Sequence, residues 1–431
     1  MAHIKQLASG NWQARVFIAQ GQSPHIKTWP TEAEARKWAA DEELKRQKGT
    51  LTAPCKDTLT VYGRKWLDDA TTKDRIRGST WRGYSRTFRT YVEEPPAGAP
   101  LIGRKRMDAL TPEHVKGLYT WLRREGRRQP RGHECGLSKQ TVGGLHAVLR
   151  QILYAAFDSG AIETNLAAKL RRAAPRTKTR RGKKALTKEE LDRFFAAART
   201  VRRGENGARL PDRYYEFWHL VAATGMRPGE ALALTWEDLD LKGRTVRIRR
   251  SLSWVRGEER YEFTEPKTAG STRVVALPKN AIPVLEAHRV AQLKERMKAG
   301  PEWVDLGLVF TTESGSPVDW TNLRLHWNRI MRQAGLGTCA EPSAKPKGRH
   351  GPGKQGKFTP LLPPYCLRHT HATLQLRAGT PVKVISERLG HASTAFTMDV
   401  YADALPDMQG AAADAWDALF TVDQAAGGAG E

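Results

Sequence analysis

Five residues whose chemistry belongs together are strung out in order between positions 227 and 401, so this stretch must fold as one body that gathers them. They are Arg227 in Thr224-Gly225-Met226-Arg227-Pro228-Gly229-Glu230, Lys267 in Pro266-Lys267-Thr268, Arg368 in Leu367-Arg368-His369-Thr370, His391 in Leu389-Gly390-His391, and Tyr401. Singly, each has a plain reading: a surface arginine in a basic chain, a solvated turn lysine, a histidine capping a helix, a core tyrosine. As a set they suit attack on a phosphodiester without metal or ATP. Such an attack gathers negative charge on the non-bridging oxygens, and preorganised cationic donors are usually the largest catalytic term. Arginine meets phosphate oxygens with a planar fork and stays charged, so Arg227 and Arg368 are the expected clamp. Tyr401 is the expected nucleophile. Its phenol, with an ordinary pKa of about 10, needs a base or a cationic field. Lys267 is the candidate general acid for a departing 5′ oxygen, and His391 the candidate hydrogen-bond donor to the phosphate.

The local frames support this reading. Thr224-Gly225 signals a turn, and Pro228 suits the first position of a helix. A residue before proline is pushed out of the α region, which predicts Arg227 at the mouth of a helix. Glu230 falls in its first turn, where the helix dipole favours an anion. The stretch from Arg244 to Leu277 predicts strands, with Lys267 in a turn between two of them. The stretch Pro381 to Leu389 predicts a helix ended by Gly390, with His391 in the turn that follows.

On these words, residues from about 186 to 404 resemble the catalytic domain of the tyrosine recombinases, or phage-type integrases. The matching words are Ala223 to Glu230, Glu265-Pro266-Lys267-Thr268, Leu367 to Thr373, Glu387 to Ser393, and Asp399-Val400-Tyr401. The resemblance implies Arg227 and Arg368 as the arginine pair, Lys267 as the β-hairpin lysine, His391 as the third-motif histidine and Tyr401 as the nucleophile. It implies a supporting role for Glu230. One position departs from the pattern. The family usually places a histidine three residues before the second arginine, and here that residue is Tyr365. A phenol can donate a hydrogen bond but is a poor base near neutral pH. Either the base role is weak, or another residue covers it. His371, on the helical face of Arg368, is a candidate, with simple packing as its alternative.

Composition agrees with a partner of high negative charge. The chain has 71 Lys+Arg against 46 Asp+Glu and a formal net charge of +25. Such a balance favours a polyanion and makes binding salt-dependent. No run of roughly 18 apolar residues exists, and the first residues lack an apolar leader core, so no membrane partner is expected. Cysteines 55, 135, 339 and 366 show no paired metal spacing, and His133-Glu134-Cys135 is too short and isolated for zinc. Scattered cysteines fit a reducing cytoplasm. Cys366 reads as a small buried residue.

The expected architecture is multidomain α+β. Residues 1–50 predict a small β-sheet-plus-helix unit: Gly10 to Phe17 alternates, a second strand ends near Trp29, and Thr31 caps a helix. This unit resembles the arm-type DNA-binding domain of many integrases, with a packing module as its alternative. Residues 57–174 predict an all-helical region, which the resemblance makes a core-binding domain. Thr80-Trp81-Arg82-Gly83-Tyr84 and Ser138-Lys139-Gln140-Thr141 predict helix starts suited to phosphate contact. Residues 175–185 predict a basic linker whose Arg176, Lys178, Arg180, Arg181, Lys183 and Lys184 are candidate DNA contacts, with a solvated tether as the alternative. Residues 186–404 predict a mainly α catalytic domain with a small antiparallel β-sheet. A basic insertion is expected over Ser343 to Lys357. Residues 405–431 predict a helix through Ala411 to Phe420 and a disordered end.

The resemblance therefore implies a site-specific recombinase acting through a 3′-phosphotyrosine, with no cofactor and no metal. Its partners would be double-stranded DNA attachment sites and three further copies of itself in a DNA-bound homotetramer. An excisionase or a DNA-bending host factor is left open. A cytoplasmic, nucleoid-associated location is expected. The alternatives are a chromosome-dimer resolvase, a type IB topoisomerase-like enzyme, or a non-catalytic DNA-binding protein of the same fold.

Overall fold

The computed structural model describes residues 2–17, 24–47, 55–76, 78–128, 135–173, 185–203, 208–255, 260–265, 272–339, 358–401, 410, 413–414 and 416–417. The chain divides into two compact units, Met1–Thr179 and Arg180–Glu431.

The first unit opens with an antiparallel meander of β1 (His3–Gln6), β2 (Trp12–Val16) and β3 (His25–Trp29), in that spatial order. In β2, Ala14 and Val16 point to one face and are fully buried. They pack with Ala35 and Ala39 of α1 (Glu32–Gln47). The Thr31 hydroxyl accepts the Glu34 N–H, so the expected cap is present. Strand β1 was not expected. Its side chains are mostly exposed, so it carries no alternation to read.

The helices α2 (Leu59–Asp68), α3 (Ala70–Arg75), α4 (Gly78–Phe88), α5 (Pro112–Glu125), α6 (Lys139–Asp158) and α7 (Leu166–Lys169) follow. They enclose a second, larger core. Helix α6 lies at its centre because Val142, Leu145, Val148, Leu149, Ile152, Leu153 and Ala156 recur on one side. Ser138 caps it by accepting the Thr141 N–H. Thr80 lies within the first turn of α4.

The second unit is mainly helical. It contains α8 (Lys188–Ala198), the short pair β4 (Arg202–Arg203) and β5 (Arg209–Leu210), α9 (Tyr215–Thr224) and α10 (Pro228–Leu232). Strands β6 (Leu239–Asp240), β7 (Thr245–Ile248), β8 (Ser251–Val255), β9 (Arg260–Thr264) and β10 (Arg273–Ala276) come next. They do not form the one sheet expected. β7 is flanked by β6 and β10, whereas β8 and β9 form a separate hairpin. The break follows from β10 pairing with β7 and not with its neighbour in sequence, β9. After α11 (Ala281–Ala299) and α12 (Trp320–Gln333) come the pair β11 (Gly337–Cys339) and β12 (Phe358–Pro360). The described fold closes with α13 (Cys366–Arg377), α14 (Val382–Leu389) and α15 (Thr394–Tyr401). Phe194, Phe217, Trp218, Phe310 and Trp327 form the heart of this unit, with the Trp218 and Trp327 rings 5.4 Å apart. Lys267, the six basic linker residues, the insertion at 343–357 and most of the tail helix lie outside the described residues. Of that tail, 410, 413–414 and 416–417 are helical. Among the described residues no helix is long and apolar enough to cross a membrane.

Candidate active site

Helix α9 ends at Gly225, which adopts a left-handed φ of 67°. Only glycine fits there: a Cβ would lie 2.6 Å from the His371 ring and 2.7 Å from Leu389. The chain then reaches Arg227 in extended geometry (φ −69°, ψ 143°), and Pro228 opens α10. This is the helix mouth the sequence predicts. The buried Glu230 carboxylate accepts the Arg227 backbone N–H at 2.8 Å and Arg227 Nη1 at 2.7 Å. It also accepts Arg273 Nη2 at 2.8 Å. Burial alone would raise the Glu230 pKa, but Arg273 and Arg227 outweigh it and hold the carboxyl below its usual range. Arg273 in turn donates from Nε to the Arg388 carbonyl at 2.6 Å. Glu230 is thus the hub between two guanidiniums, one buried and one whose side chain is 38 % exposed.

Arg368 is wholly buried in α13. Its Nη1 donates to the Gly225 carbonyl at 2.9 Å and its Nη2 to the Leu389 carbonyl at 2.7 Å. These carbonyls belong to the ends of α9 and α14, so one side chain ties two helix ends together. Burial, with the nearby Arg227 charge, lowers its pKa to about 10, which still leaves it cationic at neutral pH.

Gly390 ends α14 in a left-handed turn (φ 63°), as expected, and His391 follows. The His391 ring shares a 2.8 Å hydrogen bond between Nδ1 and Thr397 Oγ1. Burial and the charges of Arg368, Arg227 and Arg273 push its pKa down to about 3. It is therefore neutral at physiological pH and carries one ring proton, enough to act as a donor.

Tyr401 ends α15 and is buried with Ala372, Leu376, Ile385 and Leu389. Burial pushes its phenol up to about 12, against the pull of Arg368. Its hydroxyl meets His369 Nδ1 at 2.7 Å. Tyr365 stands just before α13, 39 % exposed, with its ring edge-on to His369 at 5.3 Å between centroids. Burial disfavours the Arg227 cation, but Glu230 and the Tyr365 phenol together hold its pKa above the usual value.

His371 does not take the place the sequence allowed it. Its Nδ1 donates to the Ala222 carbonyl at 2.9 Å, and its Nε2 is buried with no hydrogen-bond partner among the described residues. Burial and Arg388 push its pKa to about 4. The reason is helical phase. His371 shares the inward face of Arg368, whereas residues 365 and 369, four apart, share the side that meets Tyr401. Packing under Gly225 is the role the geometry gives His371. Cys366 is a small buried residue whose thiol burial raises to about 12.

Two residues of the site escaped the sequence reading. Arg273 opens β10, and nothing local marks it as a partner of Glu230. His369 sits inside a quoted motif, but nothing local shows that it reaches Tyr401. Among the described residues, the one His/Glu group tight enough to hold a metal is His25, Glu42 and Glu163, in the first unit.

The phage integrase family model matches residues 184–407, just over half of the chain. The chain is similar to a tyrosine recombinase XerC-like protein of Caldanaerobacter subterraneus subsp. tengcongensis, at 27% identity over 90% of each chain. It is similar to an integrase of Streptomyces ambofaciens, at 27% identity over 70% of this chain and 67% of that one. Among solved structures, the Tn1549 transposon integrase in complex with a circular intermediate DNA superposes with a TM-score of 0.61. The two are 18% identical over 84% of this chain and 99% of that one, a likeness of fold. The chain belongs to the phage integrase family and is a tyrosine-type site-specific recombinase.

Proposed function

We propose that this recombinase is the integrase of a phage or integrative element and that Tyr401 is its nucleophile. The observation that carries the proposal is geometric: the Tyr401 hydroxyl lies 2.7 Å from His369, next in sequence to Arg368, whose guanidinium holds the carbonyl of Gly225, two residues before Arg227. Tyr401 Oη attacks the scissile phosphate, giving a 3′-phosphotyrosine and a free 5′ hydroxyl. Arg227 and Arg368 neutralise the growing charge on the non-bridging oxygens. His391, neutral, donates its ring proton in a hydrogen bond to one of them. Lys267 protonates the departing 5′ oxygen. Glu230 holds Arg227 in place. A 5′ hydroxyl from the partner duplex reverses the step, and the covalent link conserves the bond energy, so no cofactor is required.

Double-stranded attachment sites are the substrate, and four active sites on a DNA-bound homotetramer complete the exchange. The Tn1549 transposon integrase, solved in complex with a circular intermediate DNA, supports a DNA partner. The formal charge of +25 supports it independently. The six linker cations Arg176, Lys178, Arg180, Arg181, Lys183 and Lys184 are proposed phosphate contacts, and the reaction is assigned to the cytoplasm at the nucleoid. A resolvase acting between two copies of one site is the second reading, favoured by the XerC-like relative that aligns over 90% of its length.

The test is trapping on a nicked suicide duplex that carries the attachment core, sought next to this gene. Wild type gives a covalent protein–DNA band on a denaturing gel, and Tyr401→Phe gives none. A wild type that binds the duplex without forming the band would refute the proposal. Recombination between two unlike sites identifies the integrase; recombination only between identical sites identifies the resolvase.

A further inference from the structure

We propose that His369 is a catalytic residue: the acceptor of the Tyr401 proton during strand cleavage and its donor during rejoining. The inference deepens the proposed function and rests on Tyr401 being the nucleophile. Its starting point is the 2.7 Å hydrogen bond between Tyr401 Oη and His369 Nδ1. A general base must lie within roughly 2.6–3.2 Å of the atom whose proton it takes. Three other ring residues stand near the arginine clamp, and none of them bonds the Tyr401 hydroxyl. His371 Nδ1 bonds the Ala222 carbonyl, and His391 Nδ1 bonds Thr397 Oγ1. Tyr365 is a phenol, a poor base near neutral pH. A phenol donates to a neutral imidazole, so the resting pair is Tyr401 O–H to His369 Nδ1, with the imidazole proton on Nε2. That tautomer follows from the hydrogen bond and is an assignment.

The site supplies a reason for such a base. Tyr401 is buried, and its burial makes the phenol harder to ionise. Among the described residues, Tyr365 ahead of its own helix, Tyr401 on α15 and His391 in the turn after α14 face His369. Arg368 precedes it on α13 but turns into the core, towards the Gly225 and Leu389 carbonyls. Arg227 lies beyond Tyr365.

The step balances. The Oη–P bond forms with the electron pair of Oη, and the P–O5′ bond breaks with its pair left on O5′. The Oη proton moves to His369 Nδ1, giving an imidazolium. O5′ takes its proton from the separate acid, Lys267. In rejoining, the 5′ hydroxyl returns its proton to the neutral Lys267 amine as O5′ bonds phosphorus, the P–Oη bond breaks with its pair left on Oη, and the imidazolium gives Oη its proton.

The test is single-turnover cleavage of the suicide duplex by the full chain across pH, for wild type, His369→Asn and Tyr401→Phe. Asparagine keeps an acceptor near the Nδ1 position but cannot take up a proton. Wild type should show an acidic limb, its rate falling tenfold per pH unit below the imidazole pKa. In His369→Asn the neutral-pH rate should fall about 10²–10⁴-fold, with the limb gone and DNA affinity unchanged. The loss should be equally large on a duplex with sulfur at the bridging 5′ position, a leaving group that needs no acid.

Wild-type rate and pH profile in His369→Asn would overturn the proton route, as would recovery on the sulfur substrate, which would make His369 an acid. Should His369→Asn fail to bind DNA, the wild-type profile alone decides: no acidic limb overturns the route. A wild type with no Tyr401-dependent band overturns the proposed function and the route with it. A band that is indifferent to His369 overturns the route alone.

Discussion

The helical region around α6 and the interior around Arg368 are both fully buried, yet they are built from opposite materials. The first is aliphatic and aromatic almost throughout. Its one buried polar contact of note is Tyr119 to His146, at 3.3 Å. The second buries Glu230, Arg368 and His371, with Arg273 only 7 % exposed at its side chain. Apolar packing tolerates volume-conserving change, because it needs only shape. A buried charge tolerates little, because each ion must keep its partner. The difference shows where this molecule accepts the cost of desolvating ions: around Arg227 and Arg368, the proposed phosphate clamp.

Removing one member from each interior is the sharpest way to break the comparison. Glu230→Ala takes away the carboxylate that Arg227 and Arg273 share. It should cost about 3–5 kcal/mol in denaturant unfolding and slow cleavage by at least about 100-fold. Equal stability in the variant would mean that the ion triad is not holding the fold. Leu149→Ala in α6 empties part of an aliphatic core and should cost about 2–5 kcal/mol. The cleavage rate of DNA-bound protein should stay near wild type.

Acid separates the two interiors further. His371 is neutral in the fold with a pKa of about 4, against 6.5 for the free residue. Between those values the unfolded chain binds the proton and the folded chain does not, so stability is full above pH 6.5 and declines as pH falls towards 4. The share due to His371 should be on the order of 3 kcal/mol, and His371→Asn should remove that share, leaving the part due to His391, in melts taken at pH 4 and pH 7. The smallest effect is expected at Tyr365, which is 39 % exposed. Tyr365→His should keep or raise the cleavage rate in single-turnover assays. Loss of cleavage with DNA binding intact would show that the phenol has a role of its own, such as supporting Arg227.

What the sequence made legible is what local rules govern. Arg227 at a helix mouth follows from Pro228, and the turn before His391 follows from Gly390. The buried side of α6 follows from its spacing, and its start from Ser138. The unread parts are contacts between distant segments. Glu230 and Arg273 lie 43 residues apart, and His369 and Tyr401 lie 32 apart. Neither pair leaves a periodic trace. His371 stayed open between two readings because its spacing from Arg368 indicates a shared side of the helix, but not which side faces Tyr401; the packing reading is the one the geometry gives. Strand β1 was missed because its exposed residues do not alternate.

The Glu230 hub has a consequence for electroneutrality. Arg227, Arg273 and Arg368 are cationic, Glu230 is anionic and His391 is uncharged, so these residues together present two formal positive charges. A phosphodiester at rest carries one negative charge, while the five-coordinate phosphorane on the way to exchange carries two. This part of the site, without Lys267, is therefore overcharged for the proposed substrate and balanced for the species between substrate and product; Lys267 gives up its own charge with the proton it passes to O5′. That is the differential binding a catalyst needs. Without Glu230 a third positive charge would remain, and a plain monoanion would be held more tightly, to no advantage in rate. The same arithmetic makes a dianionic, trigonal-bipyramidal oxyanion such as vanadate, held between DNA ends, a better fit to this pocket of charge than the intact duplex.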